Sequence, residues 1–294
     1  MSSSKPIAIL GASGQLGSDI VRAAQVAGIP YVALRHEDVE VTDPASLSRA
    51  LEKIGPAAVI NSAAFHQVDR CEEDPGEAYR VNAVGSLLAA RAASDAGARY
   101  LYISTDYVFD GKRDPKTMYE EEDSPAPLNV YGASKLAGEQ LAAQTLEDHL
   151  IVRVSSLFGV AGARGKGGNF IETILKKARE GGPLKVVNDQ WMTPTYTGDA
   201  GDAIVRLALG HATGVVHVTN PEACTWYAFA TEAVNLAGID IPVEPVSATT
   251  FTSKVRRPRN SAMSTKRLPE LIGRTLPPWR HALRAYLTAK GHLN

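Results

Sequence analysis

The sequence predicts an α/β protein built on a doubly wound parallel sheet, with a smaller second domain towards the C-terminus. Three observations predict it. A short apolar run, Ile7–Leu10, ends in the loop Gly11-Ala12-Ser13-Gly14-Gln15-Leu16-Gly17 and passes into a helical apolar pattern. Strand-like runs then alternate with helical patterns through residues 1–160. After Gly159 the chain changes character, with four glycines and two basic residues between Gly162 and Asn169.

Leu16, Ile20, Ala23 and Ala27 share one face of the first helix, and Gly28 stops it. Strand, glycine loop and helix is the arrangement that cradles a dinucleotide. Gly11 permits the tight turn, Gly14 lets backbone approach a pyrophosphate, and Gly17 packs helix on strand. The loop and first turn, with Ser13, Gln15 and Leu16, then face the phosphates at the positive end of the helix. The spacing is G-x-x-G-x-x-G, which belongs to a different branch of dinucleotide binders from G-x-G-x-x-G. A second strand, Tyr31–Leu34, ends at Arg35. A carboxylate there would grip an unmodified ribose, whereas an arginine accommodates a 2′-phosphate; Arg35 therefore favours NADPH over NADH, with a solvated basic turn as the other reading.

Thr42 or Asp43 caps a helix that starts at Pro44. A third strand, Ala57–Asn61, leads into Ser62-Ala63-Ala64-Phe65, where the small Ala63 and Ala64 let a flat cofactor lie against backbone. Val81-Asn82-Ala83 opens the next helix. A fourth strand, Arg99–Ile103, delivers Ser104 and Thr105 at its carboxyl end, where open parallel sheets bind ligands. Asp110 to Leu128 reads as a solvated acidic loop. Leu150–Val154 is a further buried strand, ending at Ser155-Ser156, and the segment from Gly162 to Asn169 is expected to close over a ligand. Residues 1–160 form the first domain and 161–294 mainly the second. The two are expected to interleave, with Leu184–Val187 and Val215–Val218, within 184–218, returning to the sheet.

The chemistry centres on Tyr131-Gly132-Ala133-Ser134-Lys135. Residues four apart lie on one helical face, and a nearby ammonium favours a phenolate, which would bring Tyr131 closer to neutral pH than the usual value of about 10. With the Thr105 hydroxyl on the same oxygen, this suits delivering a proton to a carbonyl while a cofactor delivers hydride to its carbon. Tyr-x-x-x-Lys by itself recurs by chance; its context is what gives it weight.

A chain of 294 residues with a formal net charge of -1 and 44% hydrophobic residues is not that of a nucleic-acid or membrane-surface binder. The run Arg256-Arg257-Pro258-Arg259 is thus a local feature. No apolar run approaches the roughly 18 residues of a membrane span, and no signal-peptide pattern is present. Cys71 and Cys224 share no motif spacing and read as thiols of a reducing compartment, so a cytoplasmic location is expected.

Together these residues resemble the extended short-chain dehydrogenases/reductases, specifically the dTDP-4-dehydrorhamnose reductase family. The resemblance runs through Gly11–Gly17, Asn61–Phe65, Val81–Ala83, the run Ser104-Thr105-Asp106-Tyr107-Val108-Phe109-Asp110-Gly111, and Tyr131–Lys135. It continues through Asn188-Asp189-Gln190, Pro194-Thr195, Thr225-Trp226-Tyr227 and Arg257–Ser261. It implies a Rossmann-type fold with a C-terminal substrate-binding domain, and transfer of hydride from NADPH or NADH to the C4 ketone of a nucleotide-linked 6-deoxy sugar. By resemblance Tyr131 supplies the proton. Lys135 holds the nicotinamide ribose and lowers the tyrosine pKa, and Thr105 orients the carbonyl. Glu40 and Val41 flank the adenosine, Glu40 replacing the family's aspartate, and Asn82 and Ser104 join the cofactor set. Tyr107 contacts the sugar, and Asn169, Thr195 and Arg257 face the nucleotide diphosphate, for which the guanidinium fork of Arg257 is suited. Ser156 stands where the family carries a tryptophan against the sugar. No metal is expected, and the resemblance leaves a homodimer open.

Alternatives stand beside this reading. Related dehydratases place Asp-Glu after the threonine, where Asp106 is followed here by Tyr107, and epimerases show a serine-rich run that is absent. A non-catalytic NADP-binding protein resembling the regulatory subunit of methionine adenosyltransferase, or a reductase of some other ketone, would carry much of the same sequence.

Overall fold

The computed structural model describes residues 5–162 and 168–293. The strands run in order β1 (Ile7–Leu10), β2 (Tyr31–Leu34), β3 (Ala58–Asn61), β4 (Arg99–Thr105), β5 (His149–Val154), β6 (Leu157–Phe158), β7 (Leu184–Val187), β8 (Trp191–Met192), β9 (Thr195–Tyr196), β10 (Gly214–His217), β11 (Cys224–Thr225) and β12 (Val243–Val246). The helices are α1 (Gln15–Val26), α2 (Pro44–Ile54), α3 (Val68–Glu73), α4 (Pro75–Tyr79), α5 (Gly85–Asp95), α6 (Val130–Thr145), α7 (Phe170–Glu180), α8 (Thr197–Leu209), α9 (Trp226–Leu236), α10 (Leu268–Ile272) and α11 (Trp279–Ala289).

Six parallel strands form the central sheet in the order β10-β5-β4-β3-β1-β2. The strand order reverses between β1 and β3, and a crevice at such a reversal is where open α/β sheets bind ligands. Strands β1, β3 and β4 are buried along their whole length, as continuous apolar runs covered by helices on both faces must be. Helices α1 and α8 cover one face; α2, α5 and α6 cover the other. A separate apolar cluster joins α7, α9 and α11 around Phe158, Phe229, Trp279 and Tyr286.

Local signals hold where local chemistry decides. Asp43 caps α2 by accepting from the Ala45 N–H, with Pro44 in the first turn and Gly55 left-handed after the last. Asn129 caps α6 through the Gly132 N–H at 2.8 Å. Three expectations are corrected. Leu184–Val187 does not return to the central sheet; β7 pairs in parallel with β12 in its own ribbon, and of the two returning segments only β10 joins the sheet, beside β5. Val81–Ala83 does not open a helix but lies in a π-helical turn, Arg80–Val84, between α4 and α5. The acidic loop is not wholly solvated. Tyr119 is buried, stacks on Phe109 at 4.1 Å and bridges to Met263, an aromatic anchor of about 1 kcal/mol beyond its burial. Of the segment expected to close over a ligand, residues 163–167 lie outside the described residues.

Candidate active site

The cradle after β1 is shaped by main chain. Gly11 has φ 74°, and a Cβ there would stand 2.7 Å from the Ala63 nitrogen, so the glycine loop touches the exit of β3. A Cβ on Gly17 would collide with the Gly11 carbonyl; its absence lets α1 sit down on the loop. Gly14 is different. Its only close neighbour would be the Gly11 carbonyl at 3.3 Å, which leaves its other side open to a ligand. No side chain caps α1, so the N–H groups of Gln15, Leu16 and Gly17 have no intrahelical partner, and the Gln15 Oε1 is buried without one. An uncapped helix end, a bare glycine edge and an orphaned amide fit a dinucleotide pyrophosphate. Ser13 is half-buried beside them, whereas Leu16 turns its side chain into the core and offers the site only its backbone.

Arg35 is exposed at the end of β2, its N–H bonded to Asp38 at 2.9 Å and its guanidinium 3.7 Å from Glu37. Glu40 accepts from the Thr42 N–H at 3.0 Å and the Thr42 hydroxyl at 2.8 Å. Burial works to raise its pKa, but these bonds, with His36 and Arg80, hold it below the usual carboxylate range. Val41 is buried against Gly85. Ala63 and Ala64 are half-buried, and the Ala63 N–H is held by Asn61 at 3.1 Å.

Asn82 ties this side to the catalytic helix. Its amide oxygen accepts from the Phe65 N–H at 2.9 Å, and its nitrogen donates to the Phe65 carbonyl at 3.1 Å and to Ser134 on α6 at 3.0 Å. Those bonds occupy the side chain, so Asn82 positions the site from within. Ser104 likewise gives its proton to Glu139 and is buried.

Tyr131 lies in the first turn of α6. That turn can approach the Tyr107 carbonyl because Gly132 carries no Cβ to block it. The Tyr107 and Tyr131 rings meet edge to face, 6.0 Å apart at 73°. Thr105, buried at the end of β4, lies near enough to Tyr131 to counter part of the rise in its pKa and accepts from the Tyr107 N–H at 3.2 Å. The expected lowering of the tyrosine pKa by Lys135 does not occur: burial pushes Tyr131 up, and the lysine points elsewhere. Lys135 Nζ donates to the Ile103 carbonyl at 2.6 Å and rests 3.9 Å over the Tyr102 ring. Its own pKa falls to about 7, because burial penalises the ammonium and Glu139 offsets only part of that.

The proposed substrate residues do not all converge. Tyr107 is half-buried, with its pKa pushed up to about 12 by burial and Asp106, against the lowering effect of the nearby Arg257 guanidinium. Arg257 also donates to Ser253 at 2.7 Å and stands 3.6 Å from Asp69. It borders an open cleft of about 550 Å³ lined by Asp69, Glu72, Glu73 and the 251–254 segment. Ser156 is half-buried and takes φ 45°, a left-handed conformation unusual for a residue with a Cβ. Asn169 caps α7 by accepting from the Glu172 N–H and donates to the Gly159 carbonyl and the Tyr286 hydroxyl; its polar atoms serve the fold. Thr195 is fully buried in β9. In this structure neither Asn169 nor Thr195 has a side-chain group turned to a ligand.

The residues missed from sequence are charged and buried. Glu139 holds Arg153 at 2.7 Å and 3.0 Å, and Asp106 collects three hydroxyls. Glu139 had a signal, since Tyr131, Lys135 and Glu139 recur every four residues along one face of α6. Arg153 and Asp106 had none.

A parallel sheet with a glycine cradle at its strand reversal and a tyrosine–lysine helix beside it defines a Rossmann-type nucleotide-dependent oxidoreductase. The RmlD substrate binding domain family matches residues 5–291, and the chain belongs to that family. It is 37% identical over 281 residues to the spore coat polysaccharide biosynthesis protein SpsK of Bacillus subtilis, covering 96% of each chain. It is 34% identical to a dTDP-4-dehydrorhamnose reductase of Burkholderia thailandensis, covering 94% of this chain and 96% of that one. Among solved structures, dTDP-4-dehydrorhamnose reductase from Bacillus anthracis in complex with NADP superposes with a TM-score of 0.90 at 32% identity, covering 97% of this chain and 99% of that chain.

Proposed function

We propose that this chain is an NADPH-dependent reductase of the C4 ketone of a nucleotide-linked 6-deoxy sugar, with dTDP-4-dehydrorhamnose as the first substrate to test. The observation that carries the reading is the meeting of Tyr131 and Thr105, from a helix and a strand end, beside a cradle suited to a dinucleotide. The bound cofactor supplies a hydride to the ketone carbon. Tyr131 then provides the proton that the resulting oxygen requires, and Thr105 holds that hydroxyl in place. Lys135, with its pKa near 7, exchanges its own proton close to working pH. Tyr107 walls the sugar side. Arg257, which lines the 550 Å³ cleft, would take the diphosphate through its guanidinium fork. Arg35 is exposed where a 2′-phosphate would lie, which supports NADPH over NADH. The reading places the enzyme in the cytoplasm with a soluble nucleotide-sugar substrate; no helix among the described residues is long and apolar enough to cross a membrane.

The test follows loss of reduced-nicotinamide absorbance with freshly made dTDP-4-dehydro-6-deoxy-hexose, with NADPH and NADH in parallel. Turnover that disappears in Tyr131→Phe supports the reading. Tight cofactor binding without turnover on any 4-keto sugar nucleotide would replace it with a regulatory NADP-binding protein.

A further inference from the structure

Asp106 is 3% exposed and has no Lys, Arg or His partner among the described residues. Three hydroxyls from separate parts of the chain donate to it. Thr105 at the end of β4 reaches Oδ1 at 3.1 Å, Ser155 after β5 reaches Oδ2 at 3.0 Å, and Ser261, in the segment that follows Arg257, also reaches Oδ2. A buried carboxylate without a counter-cation is costly unless its lone pairs are taken, and here three donors take them.

We propose that Asp106 is a positioning residue of the reaction: its ionised carboxylate gathers Thr105, Ser155 and Ser261 and thereby sets which way the Thr105 hydroxyl faces Tyr131. This rests on the reading of Thr105 and Tyr131 given above. A hydroxyl has one proton and two lone pairs. While Asp106 is ionised, the Thr105 proton is committed to Oδ1 and one lone pair receives the Tyr107 N–H, so the remaining lone pair is free to accept from the hydroxyl that forms beside Tyr131 when it gives up its proton. A proton added to the carboxyl group takes the lone pair that the three donors leave open and turns the carboxylate into a weaker, neutral acceptor, which loosens its hold on one of them. Oδ2 already serves two serines and Oδ1 only Thr105, so the added proton goes to Oδ1 and Thr105 is the partner that turns. Its own proton then swings towards Tyr131, and the hydroxyl changes from acceptor to donor on the catalytic side. Ser261 adds a second consequence, for it ties the Arg257-bearing segment to the strand end that carries Thr105.

The protonation step falls in an accessible range. Burial raises Asp106 to about 6, against the lowering effect of the Ser261, Ser155 and Thr105 hydroxyls and of its own backbone N–H. The other titratable groups that face it are Tyr107 on its own turn and Tyr131 on α6, both raised and neutral across this range. Beyond Tyr107 stand Arg257 and Asp69. Lys135, further along α6, is turned to the Ile103 carbonyl.

The experiment is the kcat–pH profile of the full chain with saturating NADPH and the 4-keto sugar nucleotide, alongside NADPH affinity and thermal midpoints. The wild type is expected to lose kcat as pH falls through about 6. Ser261→Ala and Ser155→Ala each remove a donor that stabilises the carboxylate, so each moves this acid limb to higher pH, by about half a unit or more. Asp106→Asn removes the limb and lowers kcat roughly 10- to 100-fold, with NADPH affinity unchanged. A purely structural carboxylate would lower thermal midpoints and leave the limb where it was. An acid limb that persists in Asp106→Asn, or stays put in both serine variants, overturns the proposal. The serine variants decide alone if Asp106→Asn does not fold. Absence of wild-type turnover would overturn the reductase reading, and this proposal with it.

Discussion

At the carboxyl edge of the sheet, the loop after β1 and the strand end of β4 lie on either side of β3, and they are built from different materials. The cradle after β1 is main chain: positive φ at Gly11, missing Cβ atoms at Gly14 and Gly17, and an uncapped helix end. The catalytic side is built from side chains of distant segments, with Lys135, Glu139, Arg153 and Asp106 all buried. A cradle of backbone presents fixed dipoles at little cost in desolvation. A cluster of buried charges must be internally paired before it can perform chemistry, and each member then depends on the others.

That contrast can be broken or sharpened by substitution. The largest expected effect is on turnover. Tyr131→Phe should lower kcat by about 10²–10⁴, the range for a lost general acid, with NADPH affinity within a few-fold, as stopped-flow turnover and cofactor titration will show. Full activity would remove Tyr131 as the acid. Next, Glu139→Ala leaves Arg153 buried without its carboxylate and should cost about 3–5 kcal/mol in denaturant unfolding, while Glu139→Met with Arg153→Met should cost much less. Equal losses in the two variants would mean that the pair is not the unit.

The glycines separate fold from ligand. Gly17→Ala forces a Cβ onto the Gly11 carbonyl and should lose about 1–3 kcal/mol of stability. Gly14→Ala, whose Cβ would meet only the Gly11 carbonyl at 3.3 Å, should lose less stability than Gly17→Ala and should lose cofactor affinity; the reverse pattern would displace the pyrophosphate from this loop. Lys135→Met has a pH signature. The wild-type ammonium is penalised in the fold, with a pKa near 7 against 10.5 in the unfolded chain, so the unfolded state binds more protons between those values and wild-type stability rises with pH there. The variant, impaired in turnover and cofactor binding, should therefore be more stable than wild type by about 1–2 kcal/mol at pH 6, and lose that advantage between pH 7 and 10. An advantage independent of pH would place the charge elsewhere. Smallest is Arg35→Ala, expected to weaken NADPH by about tenfold and NADH hardly at all; equal effects would remove the 2′-phosphate contact.

The two regions also differ in how far the sequence disclosed them. The cradle was legible because a glycine that needs positive φ or bare space is a local requirement, and Gly11, Gly14 and Gly17 each meet it where expected. Tyr131 and Lys135 were legible as a helical pair, but not the direction in which Lys135 points. That was settled by the Ile103 carbonyl and the Tyr102 ring, which belong to another element. Asn169 and Thr195 look like polar ligand residues in a row of letters. In the fold one is a helix cap and the other a buried strand residue.

By itself the sequence determined the alternation of strands and helices, the glycine cradle, a cap at Thr42 or Asp43 and the residues on the α6 face. These depend on dihedral preference and periodicity over a few neighbours. Only the tertiary structure decided that β7 leaves the sheet for β12, that burial raises Tyr131 and lowers Lys135, and that Thr105, Ser155 and Ser261 converge on Asp106. Strand pairing, desolvation and hydrogen bonds between residues as far apart as Asp106 and Ser261 depend on what the folded chain brings together, and no local pattern encodes that.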